Sequence, residues 1–428
     1  MTQTDRQYDP ISFKSLDFWA QPAQVRWDAF RELRNHRPIS WQERSEPVLT
    51  AESTDERSGF WAIVKHAHIR QVSRDQVTFT SRFGIASDDF PIELQRRLGS
   101  FIVIDDPEHA KLRKIVASAF SPKQVAKSGE QLKVRSKEIV DDLLEHGPGD
   151  FVQLVSDRLP MITISDMMGV PDSLRSQLVQ GSNGILGRAD PAWYQGMSPM
   201  EAADRALILM EEVAAEMIAE RRKRPTDDLM SALVYAEVDG DRLGEEDLIA
   251  TFNLLIGASN DTTRHTTSHT MASLCDFPDQ RTWLLEDFAS RKRTAVDEFL
   301  RYASAVTAFR RTLTRDIDFH GTHMSEGESV ILYYVSGNHD QEVFSDPDEF
   351  DLSRWPNDHV TFGGGGVHHC LGAPLSRLQL AAIFGELLHR VPDLMVGAPE
   401  YLQSFDLNGM LSMPCTFTSK GGAAPVPA

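Results

Sequence analysis

The sequence predicts a mainly α-helical protein with a minor β region. Apolar residues recur three and four apart over most of the chain. Strand-like runs are few. One helical pattern, over residues 245–277, is much longer than the others.

In chain order, the periodicity predicts helices over residues 28–37, 111–120, 127–145 and 207–222. The long pattern would span ~50 Å as a helix, and Pro278 stops it. Its middle, 252–258, is apolar nearly all round, which places it through the protein centre. Strands are expected over 60–64, 312–319 and 330–335, the last two flanking a turn from Gly321 to Gly327. Residues 346–372 are rich in Pro and Gly and read as a long irregular loop, a kind of segment that often carries function. A helix is expected to follow over 373–388.

With 428 residues, the chain has room for two or three domains or one large one. Hydrophobic residues at 41% and charged ones at 25% suit a globular protein with a core large enough to need no disulfides. Forty-four basic residues against sixty-three acidic ones give a net charge of -19, which argues against a nucleic-acid partner. Three cysteines cannot form a disulfide framework and fit a reducing compartment. The first ten residues are polar and hold no signal core. No apolar run approaches the ~20 residues of a membrane span. The expectation is an acidic cytoplasmic protein.

The loop contains Phe362-Gly363-Gly364-Gly365-Gly366-Val367-His368-His369-Cys370-Leu371-Gly372. Three readings compete. Glycines before a helix can cradle phosphate, but a P-loop ends in Lys and Ser or Thr, where this chain has His-His-Cys. His368, His369 and Cys370 could bind zinc, although no second Cys/His pair stands at zinc spacing. Cys370 could be a thiolate ligand of haem iron, its pKa lowered by the start of the following helix. Cys275 and Cys415 lack such surroundings and read as buried structural cysteines.

The spacing Phe362-x-x-Gly365-x-x-His368-x-Cys370-x-Gly372 resembles the haem-binding signature of the cytochrome P-450 superfamily. Other motifs follow in the family's order. Glu298-Phe299-Leu300-Arg301 is similar to its Glu-x-x-Arg helix. The resemblance implies a buried pair joined by Arg354, which holds the cysteine loop. Ala258-Ser259-Asn260-Asp261-Thr262-Thr263 resembles its oxygen-activation segment. There a hydroxyl orders water and a carboxylate relays protons, roles that Thr262 and Asp261 suit. Ser259 departs from the family's Gly. His109 and Arg113, four apart, together with Arg311, His359 and His368, match its cationic contacts to the haem propionates.

The resemblance spans about residues 17–414. It implies the cytochrome P-450 fold, with the long central helix across the haem. The expected boundaries are an N-terminal extension over 1–16, a single haem-thiolate monooxygenase domain over 17–418, and a flexible tail over 419–428. It also implies haem b as cofactor and O2 as co-substrate. The chain has no flavin or nicotinamide fingerprint and no iron–sulfur cysteine set. Electrons from NAD(P)H would therefore arrive through a ferredoxin reductase and a ferredoxin. A monomer is expected. Lys111, Lys114 and Arg377 would form a small basic docking patch for the ferredoxin. A peroxide-driven peroxygenase or decarboxylase is the alternative, and a non-enzymatic haem sensor a third reading. Asp261 and Thr262 argue against both.

The resemblance is greatest to the actinobacterial branch acting on methyl-branched lipids, terpenoids and sterol side chains. Phe18-Trp19-Ala20, Ile104-Asp105-Asp106-Pro107 and Arg310-Arg311-Thr312-Leu313-Thr314 carry it, whereas Ser336-Gly337-Asn338-His339-Asp340 departs at Gly337 and His339. Family position places segments 85–103, 186–197, 254–258, 306–309 and 410–411 around the substrate. They supply Phe90, Ile92, Leu94, Phe101, Trp193, Leu255, Ala258, Val306, Phe309 and Met410. Such a lining suits a hydrophobic small molecule. Arg82, Arg96, Arg97 and Arg188 are the candidates for a substrate carboxylate clamp.

Overall fold

A computed structural model describes residues 6–46, 48–49, 59–88, 90–119, 122–238 and 240–418, with the backbone alone over 122–127. The expected tail from 419 onward and the end of the 111–120 pattern, Phe120, lie outside the described residues.

The long pattern forms one helix, Glu245–Asp276. Glu245, Glu246 and Asp247 occupy its first turn, where carboxylates complement the helix dipole. Pro278 opens the next helix, Pro278–Glu286. Phe252, Ile256, Met271 and Leu274 of the central helix are fully buried, in one core with Leu380 and Phe384 of Ala373–Arg390. Its second half is polar yet buried. There Thr266 donates to Thr262 O at 2.8 Å and Thr267 to Thr263 O at 2.8 Å, so the hydroxyls are satisfied within the helix.

The other helices are Ala23–His36, Glu108–Ala119, Pro122–His146 and Pro199–Lys223. Each starts earlier than its apolar pattern. Pro199–Lys223 shows why: Ser198 and Glu201 close a capping box over a first turn that carries little apolar signal.

Five strands form the main sheet, in the order Ile39–Glu43, Gly59–Ile63, Ser329–Tyr333, Ala308–Leu313 and Phe79–Thr80. The two middle neighbours, Gly59–Ile63 and Ser329–Tyr333, run parallel, and the other pairs are antiparallel. The register sets Arg311 opposite Val330. Two strand expectations need correction. The 312–319 stretch is two strands, Ala308–Leu313 and Ile317–Phe319, broken where Thr314 donates to Val77 O at 2.6 Å. The supposed turn holds a strand of its own. Thr322–Met324 pairs with Ile317–Phe319 around His320 and Gly321, both with positive φ as tight hairpins require. Ser329–Tyr333 also ends early, because Tyr334–Gly337 is a helical turn.

Residues 346–372 contain no helix or strand. Among the described residues, no helix is long and apolar enough to cross a membrane.

Candidate functional site

The cysteine loop is built on its glycines. Gly363, Gly364, Gly365 and Gly366 have φ of +96°, +69°, +95° and +84° in succession, a path that only glycine follows without strain. The loop lies against the helix His66–Arg74. A Cβ on Gly366 would stand 2.2 Å from Ser73 O. The glycines thus serve close docking on that helix. Cys370 N donates to Phe362 O at 3.1 Å, and Gly372 caps the helix Ala373–Arg390. Cys370 is exposed as a residue, yet burial pushes its thiol pKa up against the N–H groups of Gly372 and Ala373 and the guanidinium of Arg113. This corrects the expectation of a lowered pKa: in the protein alone, desolvation outweighs the helix start. Among the described residues, no three His, Cys, Asp or Glu side chains converge as a metal-binding cluster.

Glu298 and Arg301 lie on the helix Phe288–Ala303, with both side chains 0% exposed. Arg301 donates from Nε and Nη2 to the two Glu298 oxygens, each at 2.7 Å. It also bonds the carbonyls of Asn338 and Pro347 at 2.7 Å. Arg354 reaches Glu298 at 3.2 Å and donates to Ser345 O at 2.7 Å. Two residues that the sequence reading passed over complete the anchor. Asn357 donates to Glu298 Oε2 at 3.0 Å, and Asn338 accepts from Val360 N at 2.7 Å while donating to Thr361 Oγ1 at 2.9 Å. These contacts fix the backbone that leads into Phe362.

The cationic residues come from three segments: the helix Glu108–Ala119, the strand Ala308–Leu313 and the loop over 346–372. His109 is buried, its Nδ1 3.1 Å from Asp106 Oδ1 and its ring 4.3 Å from that of His368. Burial lowers the His109 pKa and takes that of His368 to about 4, against the pull of Asp106 and Asp105 respectively. Arg113 donates to His369 O and stands over the Phe101 ring. Arg311 is buried, with Nη1 bonded to Arg310 O at 2.7 Å. His359 lies 3.6 Å from Asp297. His109 Nε2, His359 Nδ1 and His368 Nδ1 are buried ring nitrogens with no partner. Such groups call for a polar ligand.

The central helix forms one wall of an apolar cavity of about 140 Å³. Leu254, Gly257, Ala258, Asp261 and Thr262 border it, the i, i+3, i+4, i+7, i+8 face of the helix. Ala258 is exposed although its neighbours Leu254–Gly257 are buried. Thr262 Oγ1 donates to Ala258 O at 2.9 Å. Asp261 is fully buried, accepts from Ser182 Oγ at 3.2 Å and pairs with Arg264 Nη2 at 2.8 Å. Burial pushes the Asp261 pKa up, against Arg264 and Ser182. Arg264 also stands 3.3 Å from Asp157, whose carboxyl burial pushes up to about 6.

Phe90, Ala258, Val306 and Phe309 border this cavity. Leu255 points to the other side of the helix, into the main core. Ile92 and Leu94 do not border it either, since the short helix Ile92–Gly99 presents Gln95, Leu98 and Gly99. Phe101 packs on His109 and Arg113, Met410 sits in the core beside His265, and Trp193 lies against Gly187. Of the four arginine candidates, Arg188 alone borders the cavity among the described residues. Arg97 is bound to Glu211 and Asp204, Arg82 to Glu108, and Arg96 is exposed. The basic patch also needs correction: Lys111 pairs with Asp241 and Arg377 with Asp297, each at 2.7 Å.

The cytochrome P450 family model matches residues 293–391, the stretch from the Glu298 helix through Cys370. The chain is 38% identical over 412 residues to a methyl-branched lipid omega-hydroxylase of Mycobacterium tuberculosis, covering 95% of each. It is 34% identical to a steroid C26-monooxygenase of Mycolicibacterium smegmatis, covering 97% of this chain and 96% of that one. The solved structure of Mycobacterium marinum cytochrome P450 CYP268A2 in complex with pseudoionone is similar at a TM-score of 0.92 and 46% identity, covering 96% of this chain and 99% of the other. Sequence and fold agree along nearly the whole length, and the chain belongs to the cytochrome P450 family.

Proposed function

We propose that this monooxygenase inserts one oxygen atom from O2 into a C–H bond of a methyl-branched lipid, terpenoid or steroid side chain. Electrons come from NAD(P)H through a ferredoxin reductase and a ferredoxin. The chain's family implies haem and O2, and its residues fit that group. The Cys370 thiol would be the iron ligand. His109, Arg113, Arg311, His359 and His368 would hold the propionates, which would give the three unpartnered imidazole nitrogens polar partners. When bound, haem supplies O2 activation, and a thiolate ligand favours O–O cleavage.

The protein's own groups do the rest. The Glu298–Arg301–Arg354 anchor keeps the Cys370 loop in place. The apolar cavity orients the substrate and excludes water. Asp261 holds a proton at its carboxylate, and Thr262 passes it on through its hydroxyl. The observation that carries this reading is the presence of Asp261 and Thr262, side by side on the central helix, on the wall of a mainly apolar cavity. A peroxide-driven enzyme has no use for that pair, since peroxide brings both oxygens and both protons. The substrate class draws on the relatives named for methyl-branched lipids and steroids and on the pseudoionone complex. Spectral titration of the haem protein with branched lipids, terpenoids and steroids tests it. Shifts with these ligands support the class, and shifts with polar ligands alone would refute it.

A further inference from the structure

Arg188, just past the helix Asp172–Leu186, borders the cavity with a guanidinium that is already engaged. Its Nε and Nη2 donate to Asp88 at 3.2 and 2.7 Å, and Nη2 donates to Asp406 as well. Side-chain exposures of 6%, 1% and 12% for Arg188, Asp88 and Asp406 leave little water between them. The guanidinium also stacks on Phe90, 4.4 Å from the ring centre. Asp406 is held in turn by Ser87 N at 2.9 Å.

One cation therefore faces two carboxylates at this end of the cavity. The other charged residue on the wall, Asp261, is paired with Arg264. Arg310 acts on Asp88 from the neighbouring strand, and counting it brings the cluster only to two charges of each sign. A carboxylate entering here would lose its hydration and find no uncommitted positive charge.

We infer that the Arg188–Asp88–Asp406 triad makes the cavity select neutral branched lipids over carboxylate-bearing ones, an inference that rests on the substrate class proposed above. Arg188 is a specificity determinant that works by having its charge cancelled, not a clamp for acids.

The test is equilibrium dialysis of the haem-loaded protein with methyl farnesoate and with farnesoic acid, which share one branched skeleton. At about pH 8 the acid is fully ionised. The ester should bind about tenfold tighter or better. Asp406→Asn and Asp88→Asn each remove one negative charge from the cluster, so that Arg188 is no longer fully cancelled, while leaving it one carboxylate partner to hold it in place. In either variant the ester-to-acid ratio should shrink by about tenfold. The wild-type ratio alone decides the selectivity, so it does not depend on how well the variants fold. An acid that binds wild type as tightly as the ester overturns the inference. A ratio unchanged in the folded variants removes the triad as its cause. If neither compound binds while polar ligands do, the branched-lipid reading itself fails and takes this inference with it.

Discussion

Asp261 Oδ1 and Arg264 Nη2 stand 2.8 Å apart on one face of the central helix, and both side chains are buried. Burial pushes the Asp261 pKa up, and Arg264 and Ser182 pull against it. The net result is a raised proton affinity beside the cavity, as a proton donor requires. Asp261→Asn should lower kcat about 100-fold and enlarge the solvent isotope effect on turnover. Thr262→Ala should go on consuming O2 but release most of it as hydrogen peroxide. Full coupling in the Thr262 variant would remove that hydroxyl from proton delivery.

Removing either member of the Glu298–Arg301 pair strands the other as a buried charge. Glu298→Ala or Arg301→Ala should cost roughly 3–5 kcal/mol, a large part of the ~5–15 kcal/mol that stabilises a domain. Denaturant unfolding and haem content measure this together. A variant with wild-type stability and full haem would show that the pair does not hold the loop.

Stability should fall as pH falls, through two histidines, His269 and His339. His269 Nε2 donates to Asn408 O at 2.9 Å, and His339 stacks on Trp27 beside Asp348. Burial takes both pKa values down to about 4. The denatured chain protonates first as pH falls, so this stabilisation is complete above about 6.5 and is lost progressively towards 4. Thermal midpoints should drop across that window. The slope should be shallower in a variant carrying His269→Gln and His339→Gln, and an unaltered slope would refute the assignment.

Ala258 is exposed on the cavity wall in the middle of a buried helix. Ala258→Phe puts a ring into that space and should weaken ligand binding about tenfold or more. Leu255→Phe, on the core side of the same helix, should instead lower stability by about 1–3 kcal/mol through overpacking. Comparing ligand titrations with melting curves separates the two faces.

How much of this was legible in the sequence depends on how local each signal is. Cys370 and its glycines, the Glu298–Arg301 spacing and the Asp261–Thr262 step each lie within one short segment, and a fixed spacing identifies them. The long helix was legible because Pro278 marks its end. The 312–319 strand was misread because its break at Thr314 depends on a bond to Val77, far away in the chain. Asn338 and Asn357 gave no local sign, since their partners belong to other segments. The Arg188 triad is the extreme case: its two carboxylates lie 100 and 218 residues away, and no spacing rule connects them. Cavity segments were found more readily than cavity residues. On the central helix, Leu254 and Leu255 look alike in composition, and only helix rotation decides which one meets the substrate.

The central claim is that Cys370 binds the haem iron as a thiolate. The most direct test is the absorption spectrum of the reduced protein under carbon monoxide, wild type beside Cys370→Ala. Wild type should show the red-shifted Soret band characteristic of thiolate-ligated haem, and the variant should lose both that band and all monooxygenation. A Cys370→Ala protein that keeps the band would contradict the account.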